Sequence, residues 1–384
     1  MREVVIVDAV RTPVGRRKGV MSTVRPDDMA ANVLRELVKR TGISSELIED
    51  VILGCVSQTE EQGLNIARTA ALMADFPIRV PGTTIDRQCG SGQQAVHFAA
   101  QAILSGDMDV VIAGGVESMS RVPMFSTRKQ SDWSEELTSR YEIIHQGLSA
   151  ERIAEKWEFS RGQLDEFSLK SHEKAIQAQN EGRFDHEIMP YEVTLEDGSK
   201  AVITQDEGPR RGTTIEKLST LQPVFKNDGV IHAGNASQMS DGAGALLLMS
   251  REKAQQLGLK PRFKVIARSV VGSDPTLMLT GPIDATKHVL ERAGLTLADM
   301  DVYEVNEAFA SVPMCWLEEL QADPQKLNPN GGAIALGHPL GASGARVMMT
   351  LMSELERTGG RFGIQAICEG NGMANATIIE RIDS

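Results

Sequence analysis

The chain has 384 residues, 41% hydrophobic and 24% charged, and its 40 Lys and Arg against 52 Asp and Glu leave a net charge of −12. At roughly 150 residues per domain the length predicts two or three domains, and the balance of apolar and charged residues excludes global disorder. An acidic chain repels phosphate backbones, and an aromatic content of 4% offers few stacking platforms, so nucleic acid is excluded as the main partner.

Residues 4–10, rich in Val and Ile, predict the first strand. A helix is predicted over 26–40, with Asp27 and Asp28 in its first turn. Residues 51–55 (VILGC) read as a short buried strand, 94–104 as an Ala-rich helix and 110–114 (VVIAG) as another strand. Residues 118–240 break this pattern. They are polar and charged, with a helical face over 149–182 and a loop-like DEGPRRGTT at 206–214. Such a stretch predicts an inserted lid, or else a solvated helical subdomain without a ligand. Residues 262–271 (RFKVIARSVV) echo the first strand, 302–305 form an apolar strand-like run, and 363–367 predict a last strand. Strands alternating with helices predict α/β layers.

The chain also repeats itself. Cys89-Gly90-Ser91-Gly92 aligns with Gly341-Ala342-Ser343-Gly344, and in each copy a helix, a glycine (Gly106, Gly359) and a buried strand follow. Matched order and length predict a duplication. The expected organisation is an N-terminal half of residues 1–117 plus about 241–260, an insertion of 118–240, and a C-terminal half of 261–384.

No apolar run approaches the roughly 20 residues of a bilayer span. The opening MREVVIVDAV lacks the features of a signal peptide, and the closing RIDS carries no peroxisomal tripeptide. A cytoplasmic protein with no membrane partner is expected. The 4 cysteines, Cys55, Cys89, Cys315 and Cys368, show no CxxC pair and no metal-ligand spacing, which predicts free thiols and no metal site.

Four segments carry chemistry. In Asp86-Arg87-Gln88-Cys89-Gly90-Ser91-Gly92 a thiol precedes a helix, whose N-terminal partial charge favours the thiolate. The glycines would let a substrate approach the backbone. A buried structural Cys is the equally weighted alternative. In Gly337-His338-Pro339 a His with little to pack against is free to act as a base or an oxyanion donor, or is simply held by a carbonyl. In Cys368-Glu369-Gly370-Asn371-Gly372 a second thiol precedes glycines whose N–H groups can build an oxyanion hole. In Asn306-Glu307-Ala308-Phe309 a carboxamide follows an apolar run, and by itself it reads best as a helix N-cap. Cys55 and Cys315 read as core, His97 as a satisfied buried His and the methionines as core filler.

In this order the four segments, with Asn235-Ala236-Ser237, Asp241-Gly242-Ala243 and His145-Gln146-Gly147 through Glu151, resemble the thiolases from end to end. The resemblance implies a thiolase-like α/β fold, with two duplicated halves stacked in helix and mixed-sheet layers and a loop domain covering coenzyme A. It implies Cys89 as the nucleophile that carries the acyl group, His338 as its proton acceptor and Cys368 as the acid/base at the α-carbon. It further implies that Asn306 positions a water in one oxyanion hole and that the N–H groups of Cys89 and Gly370 form the other. His145, Ser237, Ala308 and Phe309 would line the substrate channel. The reaction implied is reversible: thiolysis of a 3-ketoacyl-CoA, or Claisen condensation of two acetyl-CoA, with ping-pong kinetics. Coenzyme A is then a substrate, no further cofactor is needed, and a homodimer or homotetramer is expected.

The chain departs from many short-chain members at Gln146, where they have Met. It also departs at Leu221-Gln222-Pro223, which lacks a basic residue before the proline. Arg210, Arg211, Lys217 or Lys226 would have to replace that nucleotide contact. Asp86-Arg87-Gln88 and Gln93-Gln94 lie closer to degradative members. A ketoacyl-synthase-like condensing enzyme and a non-catalytic acyl-CoA or lipid carrier are the alternatives. The second thiol argues against the first, and the retained Cys89, His338 and Cys368 argue against the other.

Overall fold

The computed structural model describes residues 2–128, 131–195 and 197–382, so Asp383 and Ser384 of the closing RIDS lie outside it. The first part runs β1 (Val4–Arg11), β2 (Gly15–Arg16), α1 (Pro26–Thr41), β3 (Asp50–Gly54), α2 (Ile66–Met73), β4 (Gly82–Ile85), α3 (Ser91–Ser105) and β5 (Val110–Ser118). Then come α4 (Glu135–Thr138), α5 (Gln146–Lys156), α6 (Arg161–Asn180), β6 (Tyr191–Thr194), β7 (Lys200–Ile203) and α7 (Ile215–Ser219). The chain returns through β8 (Ser240–Ser250) and α8 (Arg251–Gln256). It closes with β9 (Phe263–Gly272), α9 (Gly281–Ala293), β10 (Val302–Val305), α10 (Ser311–Leu320), α11 (Ala333–Leu336), α12 (Leu340–Thr358), β11 (Phe362–Glu369) and β12 (Met373–Arg381).

The main sheet has 10 strands in the order β10-β11-β12-β9-β1-β8-β5-β3-β4, with β2 paired to β8. The order from β1 outward, β1-β8-β5-β3, is repeated as β9-β12-β11-β10, and the two runs join where Val5 and Ile6 pair with Lys264 and Phe263. This repeat is the duplication the glycine-turn alignment implied. Both faces of the central strands are covered, so β5 and β8 are buried at every residue. That is why they read as continuous apolar runs rather than alternating ones.

Helices α3 and α12 lie together in the middle. Ala99 and Ile103 of one and Met348 and Leu355 of the other share a core with strands of both halves. A second core lies under α1 and α2, and a third under α9 and α10. Each fully buried Leu, Ile, Val or Met side chain contributes roughly 1.5–3 kcal/mol to this assembly.

Several local expectations shift. Helix α3 starts at Ser91, three residues ahead of the sequence reading, because Gly90 already serves as its N-cap. The helical face over 149–182 is two helices: α5 ends at Lys156 with Trp157 as its cap, and Ser160 opens α6 with a capping box to Gln163. The insertion is also less solvated than its composition suggests. Ala150, Ile153, Ala154 and Leu164 belong to the core under α9 and α10.

Candidate active site

The glycine turns bring α3 and α12 into backbone contact. A Cβ at Gly92 would stand 2.7 Å from the Gly341 carbonyl oxygen, and one at Gly344 would stand 2.0 Å from the Gln93 nitrogen. These glycines therefore serve helix crossing rather than substrate approach, which corrects the functional reading placed on them. Gly370 differs, since a Cβ there would meet Gln146 Nε2 at 3.1 Å and Gln88 Oε1 at 3.3 Å along a cavity wall.

Two cavities of about 400 and 420 Å3 adjoin at Met124, Phe125, His145, Gln146 and Leu340. Ser237, Ala308, Phe309 and His338 line the first, and Cys89 and Gly370 line the second. An aromatic row shapes the first wall. His145 stacks on Phe225 at 5.0 Å between centroids, and Phe225 meets Phe309 edge-on at 6.0 Å. His145 caps α5, its Nδ1 accepting from Gly147 N at 3.1 Å, so the ring proton sits on Nε2. Ser237 N donates to the Ala308 carbonyl at 2.9 Å, which holds these two lining segments together.

His338 is buried, and its ring is fixed by Ser343. The Ser343 hydroxyl donates to the Pro339 carbonyl at 2.8 Å, so its oxygen accepts from His338 Nδ1 at 2.6 Å. The Nε2 lone pair then faces outward from Ser343 and meets the Asn306 Nδ2 donor at a long 3.5 Å. Burial, with Arg346 nearby, pushes His338 down to about 3, so the imidazole is neutral. A neutral imidazole with an open lone pair can take a proton.

Asn306 and Cys368 lie one layer deeper. Asn306 Nδ2 is 3.5 Å from His338 Nε2, and its side chain opposes the rise that burial gives the Cys368 thiol. Its Oδ1 is buried with no hydrogen-bond partner among the described residues, an acceptor left for a water or a substrate donor. Asn306 is not a helix cap, because α10 starts at Ser311 with Ala310 before it. Cys368 does not follow a strand end either. It lies within β11, opposite Ala374.

Burial pushes the Cys89 thiol well up, and Cys368, Glu369 and Glu117 push it further. The expected thiolate at a helix N-terminus is therefore not the resting state, since desolvation outweighs the helix partial charge. Burial likewise raises Cys368 to about 12, with Glu369 adding to it. Both sulfurs hold their protons until a base and a developing charge draw them off. Cys55 and Cys315 are buried core thiols, and His97, also buried, meets Thr377 Oγ1 at 2.7 Å.

Three supports of the site carry little or no signal in the sequence. Ser343 stands there only as part of the repeated glycine turn. The buried Glu117 carboxyl accepts from Val56 N (2.9 Å), Ser57 N (3.0 Å), Gln62 Nε2 (2.8 Å) and Gly341 N (2.9 Å), tying the Cys89 wall to the start of α12. No spacing rule signals it. Among the candidate cations, Arg210 lines the first cavity, joined by Arg16 and Arg17 from β2 and the turn after it. Lys226 is taken by Glu155 at 2.5 Å, Lys217 donates to the Gly212 carbonyl at 2.6 Å, and Arg211 donates to Asn180 at 2.9 Å. The RRK run at 16–18 was the available signal.

Known proteins agree with this architecture. The family model described as thiolase, N-terminal domain, matches residues 4–252, and that for the thiolase C-terminal domain matches 259–381. The chain belongs to the thiolase family and is an acyltransferase. It is similar to the steroid 3-ketoacyl-CoA thiolase FadA6 of Mycobacterium tuberculosis, 48% identical over 393 residues, covering 100% of this chain and 95% of that protein. A 3-ketoacyl-CoA thiolase of Bacillus subtilis is 44% identical over 391 residues, covering 99% of this chain and 100% of its own. The Bacillus anthracis acetyl-CoA acetyltransferase structure superposes with a TM-score of 0.92 at 41% identity, covering 100% and 99% of the two chains. Among the described residues no helix is long and apolar enough to cross a membrane, and no group of three or more His, Cys, Asp or Glu could hold a metal ion.

Proposed function

We propose that the chain cleaves 3-ketoacyl-CoA with coenzyme A, and runs the reverse condensation, by passing the acyl group through Cys89. The observation that carries this reading is that Cys89 and His338 line the two adjoining cavities, while Asn306 and the second thiol, Cys368, are buried behind them, Asn306 Nδ2 3.5 Å from His338 Nε2. Cys89 Sγ attacks the 3-keto carbon while His338 Nε2 takes its proton. The carbon–carbon bond breaks toward C2, which takes a proton from Cys368, and acetyl-CoA leaves. Incoming coenzyme A gives its thiol proton to the Cys368 sulfur and attacks the acyl-Cys89 thioester. The expelled Cys89 sulfur recovers its proton from His338, so no net proton is lost.

Because burial disfavours the imidazolium, it forms only as the adjacent substrate oxygen becomes negative, which places the stabilisation in the transition state. Asn306 Oδ1 would hold a water in one oxyanion hole, and the N–H groups of Cys89 and Gly370 would form the other. His145, Ser237, Ala308 and Phe309 would flank the pantetheine arm, and Arg17 and Arg210 would meet the nucleotide phosphates, Arg16 being held by Glu207 at 2.9 Å. Coenzyme A is a substrate in this reading, which calls for no metal or prosthetic group. It places the enzyme in the cytoplasm as a homodimer or homotetramer, without a nucleic-acid or membrane partner.

Thiolysis of acetoacetyl-CoA and of a long-chain 3-ketoacyl-CoA, measured side by side, tests the reading. Cleavage of both, faster for the longer, fits the second cavity beside Cys89. Cleavage of neither would sink it.

A further inference from the structure

Strand β11 ends on a carboxyl that this chemistry does not use. Glu369 follows Cys368 and is fully buried. Alternation along the strand turns it to the opposite face from Cys368, the face it shares with its cross-strand partner Met373. There it lies against Gly90, the residue after Cys89. A Cβ at Gly90 would stand 1.9 Å from Oε1 and 2.7 Å from Cδ of Glu369. Among the described residues neither carboxyl oxygen has a hydrogen-bond partner, and the nearby Arg87 guanidinium is turned to Met373 Sδ at 3.8 Å. A buried charge with no hydrogen bond and no ion pair is a state that proteins avoid by keeping the proton.

The charged and titratable groups around it are few. Asp86, Arg87 and Cys89 face it from the turn ahead of α3, and Cys368 precedes it on β11. On α3 and β12 the polar groups of that face bond to one another, although Gln93 Oε1 and Asn375 Oδ1 are left without a partner among the described residues. Gln93 and His97 meet Thr377, and Asn375 donates to Gln94. His97 is pushed down to about 3 by burial and so is neutral. Burial raises Glu369 to about 9, with Arg87 opposing and Asp86 adding to the rise. Negative charge on Glu369 in turn raises both Cys89 and Cys368.

We propose that Glu369 is a positioning residue for the two thiols: kept neutral, it allows either sulfur to carry negative charge, and its ionisation suppresses both. Its consequence for turnover rests on the reading of Cys89 and Cys368 as the reacting sulfurs, but its test does not. The test is alkylation of Cys89 by iodoacetamide in the full chain, followed by peptide mass mapping from about pH 6 to about pH 10, which reads the thiolate without any acyl-CoA.

A neutral carboxyl and a carboxamide present the same charge, so wild type and Glu369→Gln coincide near pH 7. Above about pH 9 the variant's rate keeps rising while wild type falls about tenfold behind it, one pKa unit of coupling. A variant that already alkylates about tenfold faster at pH 7 means that Glu369 is ionised there, and overturns the proposal. Superimposed profiles across the range also overturn it. If Glu369→Gln does not fold, Glu369→Met is held to the same comparison. The infrared carbonyl band of a protonated buried carboxyl must in any case be present in wild type near neutral pH. A chain that shows the split profiles but cleaves no 3-ketoacyl-CoA would retain this proposal and sink the substrate reading.

Discussion

Cys89, His338 and Cys368 share one property, a neutral resting state enforced by burial. Reaction then depends on groups that hold these neutral side chains in register. Ser343 is the clearest case, because it alone bonds His338 Nδ1. Ser343→Ala is expected to lower kcat about fivefold to tenfold with KM little changed, the worth of about one hydrogen bond. Steady-state kinetics checks it, and an unchanged kcat would remove Ser343 from the machinery. Cys89→Ser should cost at least about a thousandfold in turnover, with no acyl-enzyme found by mass spectrometry. Cys368→Ala should still accept an acyl group at Cys89 yet neither make nor cleave the carbon–carbon bond. Condensation at the wild-type rate in that variant would assign the α-carbon proton to another group.

At the scale of elements, the site depends on how closely two helices cross. Helix α3 aims its N-terminus at the cavity wall next to Cys89, and α12 follows directly on the His338 loop. Their glycines set the spacing, so Gly344→Ala forces its Cβ onto the backbone nitrogen of Gln93, at 2.0 Å without relaxation. Backbone cannot swing aside as a flexible side chain can. The expected loss is about 3 kcal/mol, at the upper end of overpacking costs. Urea denaturation measures it. A loss under about 1 kcal/mol would mean that the helices separate more easily than their packing suggests.

At the scale of the molecule, the insertion is tied to the sheet by a buried ionic knot. Arg11 on β1 donates to Asp206 at 2.6 and 2.8 Å and to Glu187 at 2.8 Å. Glu187 also accepts from Ser353 on α12 at 2.9 Å. Arg11→Met would leave two buried carboxylates without their cation and is expected to destabilise the fold by about 3–5 kcal/mol. Neutralising both partners as well, in Arg11→Met/Glu187→Gln/Asp206→Asn, should recover part of that loss. Equal stability of the single and triple variants in urea melts would show that the knot acts through packing rather than charge.

What could be read before folding was what depends on local order along the chain. The Val- and Ile-rich runs, the repeated glycine turn and helix, and the ordered segments around Cys89, Asn306, His338 and Cys368 pointed to the fold class and to the candidate site residues. These signals survive in one dimension because strand burial, helix punctuation and a motif's spacing are properties of neighbours in sequence. What required the tertiary structure was everything set by residues far apart. The glycines near Cys89 and His338 proved to let two helices cross in backbone contact, which composition cannot distinguish from making room for a ligand. The helix N-terminus ahead of Cys89 argued for a thiolate, and only the surrounding burial reversed the sign. Glu117, Ser343 and Glu369 carried no sequence signal, because a carboxyl or hydroxyl acquires its role from the donors and apolar walls the fold brings to it.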